Sequence, residues 1–382
     1  MEKKRLAFID YGKALAILFV LTAHLELEIF LQLVLFTMPM FFITSGYTFS
    51  IKNTSLGEFA RSKFKRLILP FWYVMLLDIP FEIARAYFFK YGSYKVALPA
   101  LLNTIYGSAG KLPNVLGLGK LMTICIPYRI QLPFTVDIIL PANCHLWFLP
   151  AMFTASILFF VLIKHFRNKN FALVTFSLLF LLIAGIESLD GVPQLPYGLG
   201  RGFVGAVFML FGYKLKETSF FEKSSNWTKI IVLIATSVLS LIFIFGLNIR
   251  GGGMIKSNYG PYGLWSTYMT FVAGACATIA VLILCKILEK FRIGVVEQVL
   301  SAIGQNTMTL YLWQFFFFSV MEGLYIKIPG KKAAPDIFFM EMIPHEDMWY
   351  NIIELVVFVA TILLIERMRK QRSFSKGLEE KL

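Results

Sequence analysis

Apolar runs of about twenty residues, with basic residues at their alternate ends, recur along the whole chain, and this pattern restricts the fold more than any other feature. A bilayer's hydrocarbon core, roughly 30 Å thick, is crossed by about 20 apolar residues rising about 1.5 Å each. On that ruler the sequence predicts ten spans, near 8–26, 33–51, 67–88, 146–163, 171–186, 201–214, 229–247, 264–285, 300–322 and 350–366. Composition agrees, since 57% of the residues are hydrophobic and 16% charged, against about 45–50% and 25% in soluble domains. A soluble core, a disordered chain and a disulfide scaffold are excluded. The expected fold class is all-α, a polytopic integral membrane bundle of about ten transmembrane helices forming one domain over 1–382.

The formal net charge of +14 is unevenly distributed. With the ten spans alternating in direction, the N-terminus, the even-numbered loops and the C-terminus hold 25 Lys/Arg against 10 Asp/Glu. The opposite side and the outer helix halves hold 12 against 13. The positive-inside bias therefore predicts both termini, including the tail 367–382, in the cytoplasm. The basic balance is thus accounted for by topology, and no nucleic-acid partner is expected. The start Met1-Glu2-Lys3-Lys4-Arg5 resembles a signal peptide, but no small-x-small site follows and the run carries Lys13 and His24. A retained first span is expected. Four Cys without CxxC spacing and four His without HExxH predict neither a disulfide framework nor a metal site.

There is no internal repeat and no matching pair of broken helices, traces that secondary transporters usually leave. The one long connection, 89–144, is interrupted by Pro99, Pro113, Pro127, Pro133 and Pro141. Non-helical backbone at membrane depth must be buried or line a wet cavity, so this segment is expected to cap the outer mouth of the bundle. A second outer excursion spans 324–348, and the Gly-rich stretch 250–254 reads as a flexible loop.

Ionisable groups inside spans are costly and are functional candidates by default. His24 lies 16 residues beyond Phe8, about 24 Å along a helix axis and so in the outer third of the membrane. Lys13 is eleven residues earlier, three turns plus about 20°, hence on the same face and about 16 Å away. Asp10 falls within about 40° of that face. One helix would present a cation near one surface and an imidazole near the other. A His satisfied by a neighbouring helix, with a snorkelling Lys, is the plainer alternative.

The run Lys63-Phe64-Lys65-Arg66 with Pro70 opens the third span. It reads either as a positive-inside anchor or as a phosphate site for a cytoplasmic ligand. Asp78, Glu82 and Arg85 share a face at i, i+4 and i+7, which implies a polar pocket held by a structural ion pair. His145-Leu146-Trp147-Phe148 enters the fourth span at the level of His24, where an interfacial aromatic belt is the alternative. Arg201, Glu322 and Glu354 mark other outer helix ends, and Asn306, Tyr311 and Gln314 put polar groups in the ninth span, where they can act as interhelical glue.

Taken together and in order, these pieces resemble the membrane-bound acyltransferase-3 family, which includes sugar and peptidoglycan O-acetyltransferases. The matching pieces are Ile9-Asp10-Tyr11-Gly12-Lys13 with His24, Met38-Pro39-Met40-Phe41-Phe42-Ile43-Thr44-Ser45-Gly46-Tyr47, Lys63 to Arg66 with Pro70, His145 to Pro150, and Asn306-Thr307-Met308-Thr309-Leu310-Tyr311-Leu312-Trp313. The resemblance implies about ten helices in one domain and acetyl-CoA as a cytoplasmic acyl donor, with no metal. It also implies a glycan or lipid-linked saccharide acceptor at the outer face, and a bacterial cytoplasmic membrane as the location. It places the family's basic-to-His motif on Lys13 and His24, with Asp10 beside them, as the catalytic group. Its Arg-x-x-Arg motif falls on Lys63 and Arg66, which with Lys65 would bind acyl-CoA. Lys at the first position keeps the charge and loses the bidentate fork. Many relatives have His where this chain has Gln314. His145, Trp147, Asp78, Glu82, Arg85 and Tyr311 would line the acceptor pocket. A transporter or flippase of lipid-linked saccharides would share the spans and the polar pocket without needing acyl-CoA or His24.

Overall fold

The structure, a computed structural model, describes residues 6–25, 34–51, 54–89, 105, 123–125, 129–131, 137–139, 146–187, 195–247, 249, 264–291, 294–331, 334–335, 341–342 and 348–379. In chain order the helices are α1 (Ala7–His24), α2 (Thr37–Thr48), α3 (Leu56–Lys63), α4 (Leu69–Phe89), α5 (Phe148–Phe166) and α6 (Asn170–Glu187). They continue as α7 (Leu199–Glu217), α8 (Phe220–Lys223), α9 (Asn226–Leu241), α10 (Trp265–Phe291), α11 (Gly294–Gln305), α12 (Thr307–Tyr325) and α13 (Met348–Glu379). Two small antiparallel sheets lie in the connections. One joins β1 (Thr123–Cys125), β2 (Arg129–Gln131) and β3 (Asp137–Ile139) in that order, and the other pairs β4 (Ala334–Pro335) with β5 (Glu341–Met342). The first interrupts the segment read as an irregular cap; most of 89–144 lies outside the described residues.

Among the described residues, six helical segments are long and apolar enough to cross a membrane: α1, α5, α6, α9 with its extension to Gly246, α10, and α13 as far as Arg369. This is a multi-pass membrane protein. The other four expected spans also contain helix, α4 with 21 residues and α7 with 19, and two of the four depart from a simple crossing. With 12 residues, α2 is about 18 Å long, short of the roughly 30 Å apolar core. The expected span 300–322 is two helices, because Asn306 leaves helical geometry (φ −110°, ψ 18°) and caps α12. Its Nδ2 donates back to the Ala302 carbonyl at 2.8 Å, so Asn306 serves a helix junction and not the interior of a span. The tail, expected to begin at 367, is a continuation of α13 to Glu379.

The core is built around α1, α2 and α7. Along α1, eleven residues are buried, Phe8 to Thr22, on every side of the helix. A helix surrounded by protein needs apolar residues all round, not a stripe. Its neighbours include α2, α10, α11 and α12. Against α2 lies α7, which also packs on α5 and α6. The α2–α7 crossing brings backbone against backbone. A side chain at Gly46 would overlap the Met209 carbonyl, and one at Gly212 would overlap that of Ile43. Small residues permit such close approach where lipid removes the hydrophobic drive between helices. At the edge, α9 and α13 turn Ile231, Ile234, Val356 and Leu364 outward, an apolar surface suited to lipid.

Two ends of the bundle are distinguishable. The basic end holds the start of α1, the end of α2, α3 and the α5–α6 turn, linked by ring contacts of Phe8 with Tyr47, Phe49 with Phe59, and Phe49 with Phe160. The far end holds His24 and the starts of α5 and α7. Ser55 starts α3 with a capping box: its Oγ accepts from Glu58 N at 3.2 Å, and Glu58 Oε2 accepts from Ser55 N at 2.9 Å. This helix buries no residue and passes through a π-helical turn, Phe64–Ile68, into α4.

Candidate active site

A single helix connects the two ends. Asp10 is buried in the first turn of α1, with Gly304 of α11 packed against its backbone carbonyl. Lys13 is half-buried one turn later, and His24, also half-buried, ends the helix. The helix is unbroken from Ala7 to His24, so the eleven-residue interval does span about 16 Å on nearly one face. The His24 ring meets Phe315 of α12 edge-on, with centroids 5.2 Å apart and an interplanar angle of 66°.

From Phe315 a series of rings continues through the far end. Tyr311 lies one turn earlier on α12 and contacts Phe148 of α5, with centroids 5.7 Å apart. Phe148 in turn meets Phe41 and Phe42 of α2. Beside it, the Trp147 ring carries the Arg201 guanidinium of α7 at 4.5 Å, a cation–π contact. On the other flank, Phe316 meets Phe81 of α4 at 4.8 Å. Asp78 is buried about one turn before Phe81. Pro80 sits inside α4 without ending it.

Of the expected acceptor-pocket residues, Trp147 and Tyr311 therefore join the aromatic series that begins at His24. Asp78 stands on the adjoining helix, buried in the interior. Glu82 and Arg85 belong to the α4 helix, but their side chains lie outside the described residues, as does His145.

Three features in this region were only partly visible in the sequence. Arg201 was recognisable as a helix-end charge, while its seat on Trp147 depends on α5 and α7 meeting. Gln314, next to Phe315, is completely buried, and neither amide atom has a hydrogen-bond partner among the described residues. Buried polar groups are nearly always paired, so an unpaired amide beside the His24 ring partner is a notable exception. Glu354 of α13 is 1% exposed, with neither carboxylate oxygen hydrogen-bonded among the described residues, and it is electrostatically coupled to buried Glu322 of α12. The sequence signal for all of them is a polar group within or at the end of an apolar run.

At the basic end, Lys63 closes α3, while Lys65 and Arg66 lie exposed on the π-helical turn. Turns of this kind are frequent at functional sites. The Lys63 ammonium stands over the Phe59 ring at 5.5 Å. Burial, aided by the neighbouring Arg66 charge, pulls its pKa down to about 8. Phe59 stacks on Phe160 of α5, with centroids 4.3 Å apart and 14° between planes. Lys164 covers Phe160 from one turn further on, at 5.8 Å.

The sequence model of a protein family described as an acyltransferase domain matches residues 6–366. The chain belongs to the membrane acyltransferase-3 family. The match runs from the N-cap of α1 to within α13, so it contains both ends of the bundle and every expected site residue. This acyltransferase-3 protein is accordingly a membrane acyltransferase, acting on an acceptor in a bilayer setting. No curated protein and no solved structure matches it in the corresponding comparisons.

Proposed function

We propose that the protein is a transmembrane O-acyltransferase that moves an acetyl group from cytoplasmic acetyl-CoA to a sugar hydroxyl of an extracytoplasmic or lipid-linked glycan. On this reading the basic end faces the cytoplasm of a bacterial cell, both termini lie there, and the chain crosses the inner membrane about ten times. The observation that carries the reading is the course of α1. One unbroken central helix holds Asp10 and Lys13 towards the basic end and stops at His24, against the Phe315 ring. A donor that enters at one surface and an acceptor that waits at the other require a connection of this kind.

Lys63, Lys65 and Arg66 bind donor phosphates at the basic end, the Arg through its planar fork and the lysines as point charges. The pantetheine arm runs along the Lys13–His24 face and brings the thioester to the imidazole. His24 takes the proton of the sugar hydroxyl as its oxygen attacks the thioester carbonyl carbon. The new C–O bond forms, the C–S bond breaks, and the proton passes from the imidazole to the departing CoA sulfur. Asp10 and Lys13 set the electrostatics of the helix that carries His24. Trp147, Tyr311 and Asp78, with His145, Glu82 and Arg85, hold the acceptor. An acyl-imidazole route would use the same ring, and rapid quenching with labelled donor alone distinguishes it by trapping label on the protein.

The test is turnover of a His24→Gln variant in lipid nanodiscs. Loss of activity on the order of 10²- to 10⁴-fold, with CoA affinity retained, is the expected result for a general base. Full turnover in that variant overturns the assignment.

A further inference from the structure

A concave feature lies at the basic end, beside the Lys63–Arg66 cluster and not part of it. It is a cleft of about 670 Å³ between the link that follows α2 and the α5–α6 turn. Its polar lining is Thr54 and Ser55 on one side and Lys164, His165, Arg167, Asn168 and Lys169 on the other. Among the described residues no acidic side chain lines it.

The cleft is held open by the last turns of α7. Lys214 Nζ donates to the Asn170 side-chain oxygen at 3.0 Å and to the Arg167 carbonyl at 3.4 Å, tying down the α5–α6 turn. Lys216 Nζ donates to the Phe49 carbonyl at 2.9 Å, tying down the opposite wall. The Ser55 capping box fixes the link where it enters α3. Cations near the end of α5 complement the helix dipole, which accounts for Lys164 but not for Lys169 or for a braced concavity. A topology anchor needs positive charge alone and no shaped wall.

The volume falls in the range of about 300–1,000 Å³ typical of small-molecule sites. Three cations with hydroxyl and amide donors, and no lining carboxylate, suit a ligand with several phosphate oxygens. The cleft is also continuous with the donor cluster. Lys164 covers Phe160, Phe160 stacks on Phe59, and Phe59 carries Lys63.

We propose that this cleft seats the phosphate-bearing nucleotide end of the acyl donor, with Lys164, Arg167 and Lys169 as anchoring residues additional to Lys63, Lys65 and Arg66. The inference rests on the donor reading given above and extends it to residues outside the motif. The same phosphate chemistry is offered by anionic lipid headgroups, and the experiment separates the two sources.

The experiment uses the full chain in zwitterionic nanodiscs, with CoA and adenosine 3′,5′-bisphosphate as probes. Affinities are compared between wild type and an Arg167→Ala/Lys169→Ala variant, with thermal unfolding as a check on folding. Losing two charge-assisted contacts is expected to weaken both probes on the order of 10- to 100-fold, at unchanged unfolding temperature. Unchanged affinity for both probes overturns the cleft assignment and leaves the donor reading standing. Wild-type protein that binds neither probe overturns both. Unchanged nucleotide affinity together with reduced retention of phosphatidylglycerol in native mass spectrometry gives the cleft to lipid and overturns its assignment to the donor. An unfolding temperature lowered along with affinity is resolved by Arg167→Gln and Lys169→Gln single variants, each expected to weaken the bisphosphate severalfold; unchanged affinity in both overturns the cleft.

Discussion

The imidazole of His24 meets the ring of Phe315 edge-on, 5.2 Å between centroids and 66° between planes. That contact joins the last residue of α1 to the middle of α12, and it fixes where the imidazole stands relative to Tyr311 and Phe148. Replacing Phe315 by Leu keeps an apolar neighbour and removes the planar edge. Turnover is expected to fall about tenfold through misplacement of the ring, while CoA affinity stays within twofold. Equal turnover would show that the ring contact does not position His24.

Lys63 supplies a pH signature. Its pKa is lowered to about 8 by burial and by the Arg66 charge, so it is a cation below that pH and neutral above it. An anionic donor favours the cation. CoA affinity should therefore decline between pH 7 and pH 9, by up to about tenfold for one charge lost. Lys63→Arg keeps the charge across that window and should flatten the profile, which isothermal titration at three pH values can check.

Gly46 lies where α2 and α7 touch through their backbones, against the Met209 carbonyl. Gly46→Ala forces the helices apart and should cost about 1–3 kcal/mol, the usual range for overpacking a tight contact. The measurement is thermal unfolding in detergent, and an unchanged midpoint would argue against the close crossing.

Gln314 is expected to trade stability for function. Its buried amide has no hydrogen-bond partner among the described residues, and an unsatisfied buried polar group costs about 1–3 kcal/mol. On the proposed acceptor pocket that includes Tyr311, one turn away, Gln314→Leu should raise the unfolding midpoint while lowering kcat/KM for the acceptor. A stabilised variant with full activity would leave Gln314 without a role in the reaction.

Much of the scaffold is readable from hydropathy because lipid forces every backbone polar group into a helix. The first span is the best instance: Ala7–His24 is one helix, and Lys13 and His24 keep their expected interval. Hydropathy fails where a helix is enclosed by protein and length no longer measures a crossing. Thus α2 has 12 residues, and Asn306 divides an apparently continuous run into α11 and α12. The site is legible as a set of residue types but not as contacts. His24 could be singled out as an imidazole in an apolar run, whereas its partner Phe315 is one of 39 Phe and carries no distinguishing pattern. The cleft around Arg167 and Lys169 was hidden for a similar reason, since loop cations read as topology markers until Lys214 and Lys216 are seen bracing the walls.

The central claim is acyl transfer from one side of the membrane to the other through His24. It is tested most directly with inside-out vesicles given acetyl-CoA labelled in its acetyl group, with wild type and His24→Ala expressed equally. The account predicts label in lumenal glycan only with His24 intact. Equal labelling by the two proteins, or no labelling by wild type in the presence of a glycan acceptor, would contradict it.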